Sequence, residues 1–467
     1  MTVHHDIRGL EISAGNPAAI GVLDQAISGF LGARTDTGDY LREAQELDPD
    51  LVMGHVLRGY FMHLFGHRGL MARARESLDA ARASAGRVGA TPREQSHMAA
   101  LDAWCDGKPA ETLRMLSDIL IDHPLDIVAL KLSEYWNFYT GEAAGMRDSV
   151  GRALHAWEPG VPDYPFVLGI QAFALEESGD YARAEEKGRA AVEANPADIW
   201  ATHAVAHVME MNDRRLEGVA WLDGLSVNWG ECNNFAFHVW WHRALFALEL
   251  GHFDEAMALY DTEVRAEPTR DFRDITNAAA LLWRIDQEGV DVGDRWLELA
   301  EHSAARVGEH VLVFADAHYM LSLASDPNRR DDANKLAETA AEYALRDDES
   351  QAAVMRAAGA ELCRAILAYR EGDYGGCVDA LYPVRFQTRL LGGSHAQRDV
   401  FHQILIEAAI RAGRLNLARA LLSERLQQKP GSMLSWRRYG IVLDGIGDSV
   451  GAVHARENAD RLKTEAG

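Results

Sequence analysis

The stretch "GDYARAEEKGRAAVEANP", Gly179 to Pro196, decides the fold. A glycine opens a turn, an aromatic follows two residues on, an alanine lies three beyond that, and a proline closes the helical run. The same spacing of 17 residues between glycine and proline recurs in "GKPAETLRMLSDILIDHP", Gly107 to Pro124, "GHFDEAMALYDTEVRAEP", Gly251 to Pro268, and "GRLNLARALLSERLQQKP", Gly413 to Pro430. The first three glycines are 72 residues apart, which is two units of 36. A unit of about this length reading helix, turn, helix is the tetratricopeptide pattern. Proline ends the second helix because it cannot continue the backbone ladder. Ala184, Ala256 and Ala418 take the place where two helices must approach closely.

Weaker units fill the gaps: "GEAAGMRDSVGRALHAWEP", "NDRRLEGVAWLDG" and "GDYGGCVDALYP". "TPRE", Thr91 to Glu94, reads as a helix start, with a threonine cap, a proline in the first turn and a glutamate three after the cap. Strand signals are nearly absent. The expectation is an all-α tetratricopeptide-repeat solenoid of stacked antiparallel helix pairs. Residues 1–90 read as an irregular helical cap, 91–270 as regular repeats, 271–360 as divergent repeats and 361–467 as C-terminal repeats of one continuous solenoid. In such folds the first helices line a concave surface, so helix faces become the place to look for function.

Composition narrows the function. The chain has 467 residues, 48% of them hydrophobic, and a net charge of −24, which argues against nucleic acid and anionic membrane surfaces as partners. The four cysteines, Cys105, Cys232, Cys363 and Cys377, form no CxxC pair, so neither a disulfide framework nor a zinc ribbon is supported. The N-terminus lacks the apolar core of a signal peptide, and no apolar run is long enough to span a membrane. The reading is a reduced, cytoplasmic protein, with a homodimer as one option for its assembly.

The candidate chemistry sits on two successive first helices. "THAVAHVMEM" carries His203 and His207 at i,i+4, with Glu210 three further on. "NNFAFHVWWHRALFALEL" repeats the device with His238 and His242, and Trp241 beside them. Two such pairs on neighbouring helices can converge across ~8–10 Å between axes. Neutral imidazoles at this spacing can grip zinc or a similar ion, with Glu210 as third ligand or base. The stretch is not an HExxH motif, since residue 204 is alanine. The base expectation is therefore no cofactor, with a divalent metal as the alternative. Histidines in a desolvated groove also suit proton transfer near neutral pH. The bland reading is that each packs and bonds a backbone carbonyl.

"VLVFADAHYM" adds Asp316 and His318, of which a regular helix turns at most one toward any one site. Asp316 is the candidate to orient an imidazole. "LGGSHAQRDVFHQ" holds Arg398 and Asp399 after a glycine break, either bracing that loop or clamping a carboxylate. Cys232 reads as structural before it reads as a nucleophile. His55 and the aromatic stretch "KLSEYWNFY" read as packing.

In order along the chain, "REQ" (Arg93–Gln95), "DHP" (Asp122–Pro124), "MRDSV" (Met146–Val150), "HAVAHVMEM", the His238–Trp241–His242 trio, "YDT" (Tyr260–Thr262), "DAH" (Asp316–His318) and "GGSHAQRDVF" resemble landmarks of the tetratricopeptide repeat protein 38 family. The resemblance runs from about residue 48 to about residue 430. It implies a tetratricopeptide solenoid and hands over no activity. Animal members read Asn-Asp-Ala-His where this chain has Ala315 before Asp316, which removes one polar group from the supposed site.

Two functions follow as expectations. The first is a binder of a small polar molecule in a His/Asp-lined pocket inside the superhelix. Its leading catalytic residues are His207 and His238, with His203, His242 and Asp316, and its chemistry is hydrolytic or lyase-type. Glu210, Trp241, His318, Arg398 and Asp399 would line it. The second is a non-catalytic scaffold for a peptide or protein partner. Grooves that grip acidic peptide termini use Lys and Arg on first helices; the helices here offer His, Trp, Glu and Asn, which favours the first.

Overall fold

A computed structural model describes residues 2–465. The chain is all-α in stacked helix pairs, as the repeat spacing requires. The exception is a short antiparallel hairpin, Val3–His5 with Glu11–Ser13, that the sequence reading missed. Three-residue strands are too short to show alternation. No helix among the described residues is long and apolar enough to cross a membrane.

The four diagnostic glycines all sit between paired helices. Gly107 separates Pro92–Cys105 from Pro109–Asp122, and Gly179 separates Tyr164–Glu177 from Tyr181–Ala194. Gly251 follows Phe235–Glu249, and Gly413 separates His395–Arg411 from Leu415–Gln428. Their φ angles are +68°, +81°, +79° and +69°, the left-handed region that a Cβ disfavours. This is why the repeat demands glycine there. Ala184, Ala256 and Ala418 are fully buried, which fits their role at close helix contacts. Thr91 caps Pro92–Cys105 in a complete capping box with Glu94, as "TPRE" predicts.

The chain divides into two compact units. The first comprises residues 1–205 and 227–236; the second comprises 206–226 and 237–467. The core of the first includes Leu57, Tyr60, Leu101, Leu130, Ile170 and Phe173. The second buries Trp241, Trp283, Phe246, Met320, Ile366 and Phe401.

Candidate functional site

Three of the sequence-chosen histidines meet inside the second unit. The helix Ile199–Met211 supplies His207, and Phe235–Glu249 supplies His238 and His242. Each offers a ring nitrogen, and these nitrogens lie within 4.8 Å of one another. The His207 and His242 ring centroids are 4.3 Å apart, and those of His238 and His242 4.9 Å. Trp241 walls the group: it stacks on His238 at 5.4 Å and meets His242 edge-on at 4.9 Å. The Arg284 guanidinium lies 5.5 Å from the Trp241 ring.

Two of these rings are oriented by their neighbours. His242 Nδ1 bonds Glu210 Oε2 at 2.9 Å, and His238 Nδ1 bonds Asn277 Oδ1 at 3.0 Å. Carbonyl and carboxylate oxygens only accept, so both Nδ1 atoms carry the proton. In a neutral ring this leaves the Nε2 lone pair as acceptor, base or ligand. Burial holds the rings neutral. It pushes His238 down to about 4, and it lowers His207 and His242 well below the ordinary range. For His207 the neighbouring His242 adds to that effect. His207 and His242 are fully buried and His238 is 8% exposed.

His203 falls in the first unit, one turn before His207 on the same helix. There its ring lies 5.3 Å from Phe173 and 5.2 Å from Phe235. Asp316 has a different partner from the one expected: it bonds His310 Nδ1 at 3.1 Å, both side chains buried. His318 donates to the Phe314 carbonyl at 2.8 Å, four residues back on its own helix, and burial pushes it down to about 4. Cys232 is half-buried, and burial raises its thiol to about 11, away from nucleophilic use. His55 bonds the Pro49 carbonyl and Gln45.

Arg398 and Asp399 do not pair with each other. Arg398 donates to the carbonyls of Gly392 and Gly393 and so braces its loop. Asp399 takes both guanidinium branches of Arg425. Burial opposes that carboxylate's charge, but Arg425 and Lys429 outweigh it and hold its pKa far below the usual range. Lys429 Nζ in turn bonds Glu210 Oε1 at 3.3 Å, so Glu210 links His242 to the cations.

These charges border two cavities. The smaller, about 40 Å³, lies among Glu210, Glu249, Arg284, Asp399 and Lys429. It has room for a few waters and no substrate. The larger, about 220 Å³, is lined by Arg385, Arg398, Arg425 and Lys429 against Asp399 and Glu424. Neither is lined by His207, His238 or His242. Of this lining the sequence singled out Arg398 and Asp399, as a loop brace or a carboxylate clamp, and missed Arg385, Arg425 and Lys429. Arg425 stands in the last turn of a repeat helix and Lys429 at its C-cap, where cations are ordinary partners of the helix dipole. Nothing in their spacing distinguishes a lining role.

No family model matches the chain. Among solved structures it is similar to a human IFIT1 dimer with PPP-AAAA, at 13% identity and a TM-score of 0.36, covering 97% of this chain and 96% of that one. It is also similar to a tetratricopeptide repeat protein from Parabacteroides merdae ATCC 43184, at 14% identity and a TM-score of 0.29, covering 63% of this chain and 91% of that one. A third is the P58(IPK) TPR domain, at 12% identity and a TM-score of 0.22, covering 80% of this chain and 96% of that one. Identities this low bring no ligand or partner across to this chain.

Proposed function

We propose that the protein is a tetratricopeptide-type binding module whose second unit takes up a small anionic molecule. The observation that carries this reading is the 220 Å³ cavity, where Arg385 and Arg398 stand beside the Arg425–Asp399 pair and the Glu210-bound Lys429 in a chain of net charge −24. Asp399 and Glu210 already offset Arg425 and Lys429, so a bound anion would draw mainly on Arg385 and Arg398. Sites for drug-sized ligands are usually ~300–1,000 Å³, so this one suits a carboxylate- or phosphate-sized group. Arg385 is well placed to receive it, its guanidinium lying 4.1 Å from the Tyr382 ring and 4.0 Å from the Phe386 ring. The aromatic faces hold the guanidinium plane while leaving its N–H edge for hydrogen bonds.

Binding is favoured over hydrolytic or lyase-type catalysis because the neutral histidines are sealed and line neither cavity. A second reading has support in Phe386, 67% exposed beside Arg385. An acidic peptide could set its carboxylate in the cavity and an apolar side chain on this ring, which is the scaffold role of the fold. Membership of the tetratricopeptide repeat protein 38 family is compatible with both readings.

Calorimetric titration with small mono- and dicarboxylates and phosphates tests the proposal. A ligand is expected whose affinity falls about tenfold or more in Arg385→Gln, the loss of one charge-assisted contact. It should also weaken with added salt. No binding across the panel, with Arg385-dependent binding of acidic peptides, would move the conclusion to the scaffold. No binding of either kind overturns the basic cavity as a site.

A further inference from the structure

The histidine cluster takes no part in the anion reading, yet its construction is unusual for packing residues. A histidine that merely packs satisfies its ring with a backbone carbonyl, as His318 does with Phe314 in the same unit. His238 and His242 instead commit Nδ1 to side chains on other helices, Asn277 and Glu210. Such outer partners fix the tautomer and ring plane of metal-bound histidines and raise the basicity of the other nitrogen. His207 brings a third imidazole against His242.

From this arrangement we infer that His207, His238 and His242 form a binding site for a divalent transition-metal ion of the zinc class. The donor set decides the class. Imidazole nitrogens suit zinc, cobalt, nickel and copper, whereas magnesium and calcium need oxygen ligands. Distance allows it. A zinc–nitrogen bond is about 2.0–2.1 Å, so ligands on one ion lie within about 4.2 Å of each other. Nitrogens already within 4.8 Å need only a small ring adjustment. Charge allows it too: the Glu210 carboxylate hydrogen-bonded to His242 Nδ1 offers a counter-charge beside the site. The near-complete burial suits a closed structural site more than an exchanging one.

The test uses full-length protein without a histidine tag, stripped with chelator and dialysed against cobalt(II). Close to one cobalt per chain is expected, with visible absorption of a nitrogen-ligated ion and no uptake of magnesium. His242→Ala should lose the bound cobalt. His318→Ala, another buried histidine of the same unit, should keep it. Should His242→Ala fail to fold, Asn277→Ala serves instead. It leaves all three ligands in place and is expected to weaken cobalt binding about 10–100-fold, the usual effect of removing an outer partner. Folded wild-type protein that takes up no cobalt overturns the site. So does cobalt bound equally by the wild type and Asn277→Ala. Anion binding is read on a separate variant, Arg385→Gln, so either site can fail without the other.

Discussion

The two units bury charge in opposite ways. In the first, several buried ions are closed on one another. Arg8 gathers Asp6, Asp24 and Asp163. Asp126 takes Arg93 at 2.8 Å and His97 at 2.9 Å, and the other His97 nitrogen lies 3.2 Å from the Tyr60 hydroxyl. Glu94 accepts from the Ser13 and Thr91 amides and the Ser13 hydroxyl. Both nitrogens of His97 are used by the protein itself. In the second unit Asp399 and Glu210 also hold cations, but the cations gather round a cavity and three imidazoles each bring a ring nitrogen within 4.8 Å of the others. A closed network fixes a fold; clustered donors can also serve a ligand.

The largest effect expected from breaking this contrast is in the first unit. Arg8→Ala strands three carboxylates at a nearly closed site, and removing one partner of a buried ion pair typically costs ~3–5 kcal/mol. Urea unfolding should show a loss in that range, with hydrogen exchange accelerated first in Ala18–Leu31, which carries Asp24. A loss under about 1 kcal/mol would mean that Arg8 is no more than a surface ion pair.

A somewhat smaller and pH-dependent effect is expected at Asp198, whose Oδ1 accepts from the Ala201 amide at the start of Ile199–Met211. Burial pushes this carboxyl up to about 7, against the opposing pull of that amide and of Lys131. The folded protein therefore keeps the proton to about pH 7, while the unfolded chain loses it near pH 4. Folding is undisturbed by this group below about pH 4, loses stability as pH rises between the two values, and carries the full cost above about pH 7. Asp198→Asn keeps a capping oxygen and removes the titration. It should stabilise the protein by up to ~4 kcal/mol at pH 8 and by much less at pH 5. Equal gains at both pH values would show that burial does not control the carboxyl.

The contrast also explains what the sequence could reveal. Turn glycines at positive φ, the buried Ala184, Ala256 and Ala418 and the Thr91 cap are local demands of helix pairing, so they are written at fixed spacing. The convergence of His207, His238 and His242 was legible for the same reason, because two HxxxH pairs fell at equivalent places in successive repeats. Asp316 could not be assigned, since its partner His310 lies outside the helix, where no period sets direction. The basic cavity was legible only at Arg398 and Asp399, because Arg385, Arg425 and Lys429 come from other helical segments and their ends. Lys429 follows a second helix, whereas the cations of grooves that grip acidic peptide termini stand on first helices.

The smallest effect separates the units most sharply, because each contains one complete capping box of the same design. Thr91 caps Pro92–Cys105, and Ser394 caps His395–Arg411 with Gln397 as its reciprocal partner. Removing either hydroxyl by alanine should cost about 1 kcal/mol. In the first unit the loss should end there. In the second, Ser394 follows Gly392 and Gly393, whose carbonyls hold Arg398 at the cavity wall. Gly393 is pinned at φ +78° with Phe314 against it, so that loop has little slack apart from its cap. Ser394→Ala should therefore also weaken the anion several-fold, while Thr91→Ala leaves its affinity unchanged. Matched stability losses with no difference in affinity would show that Arg398 keeps its place without the cap, and that the cavity is as rigidly closed as the networks of the first unit.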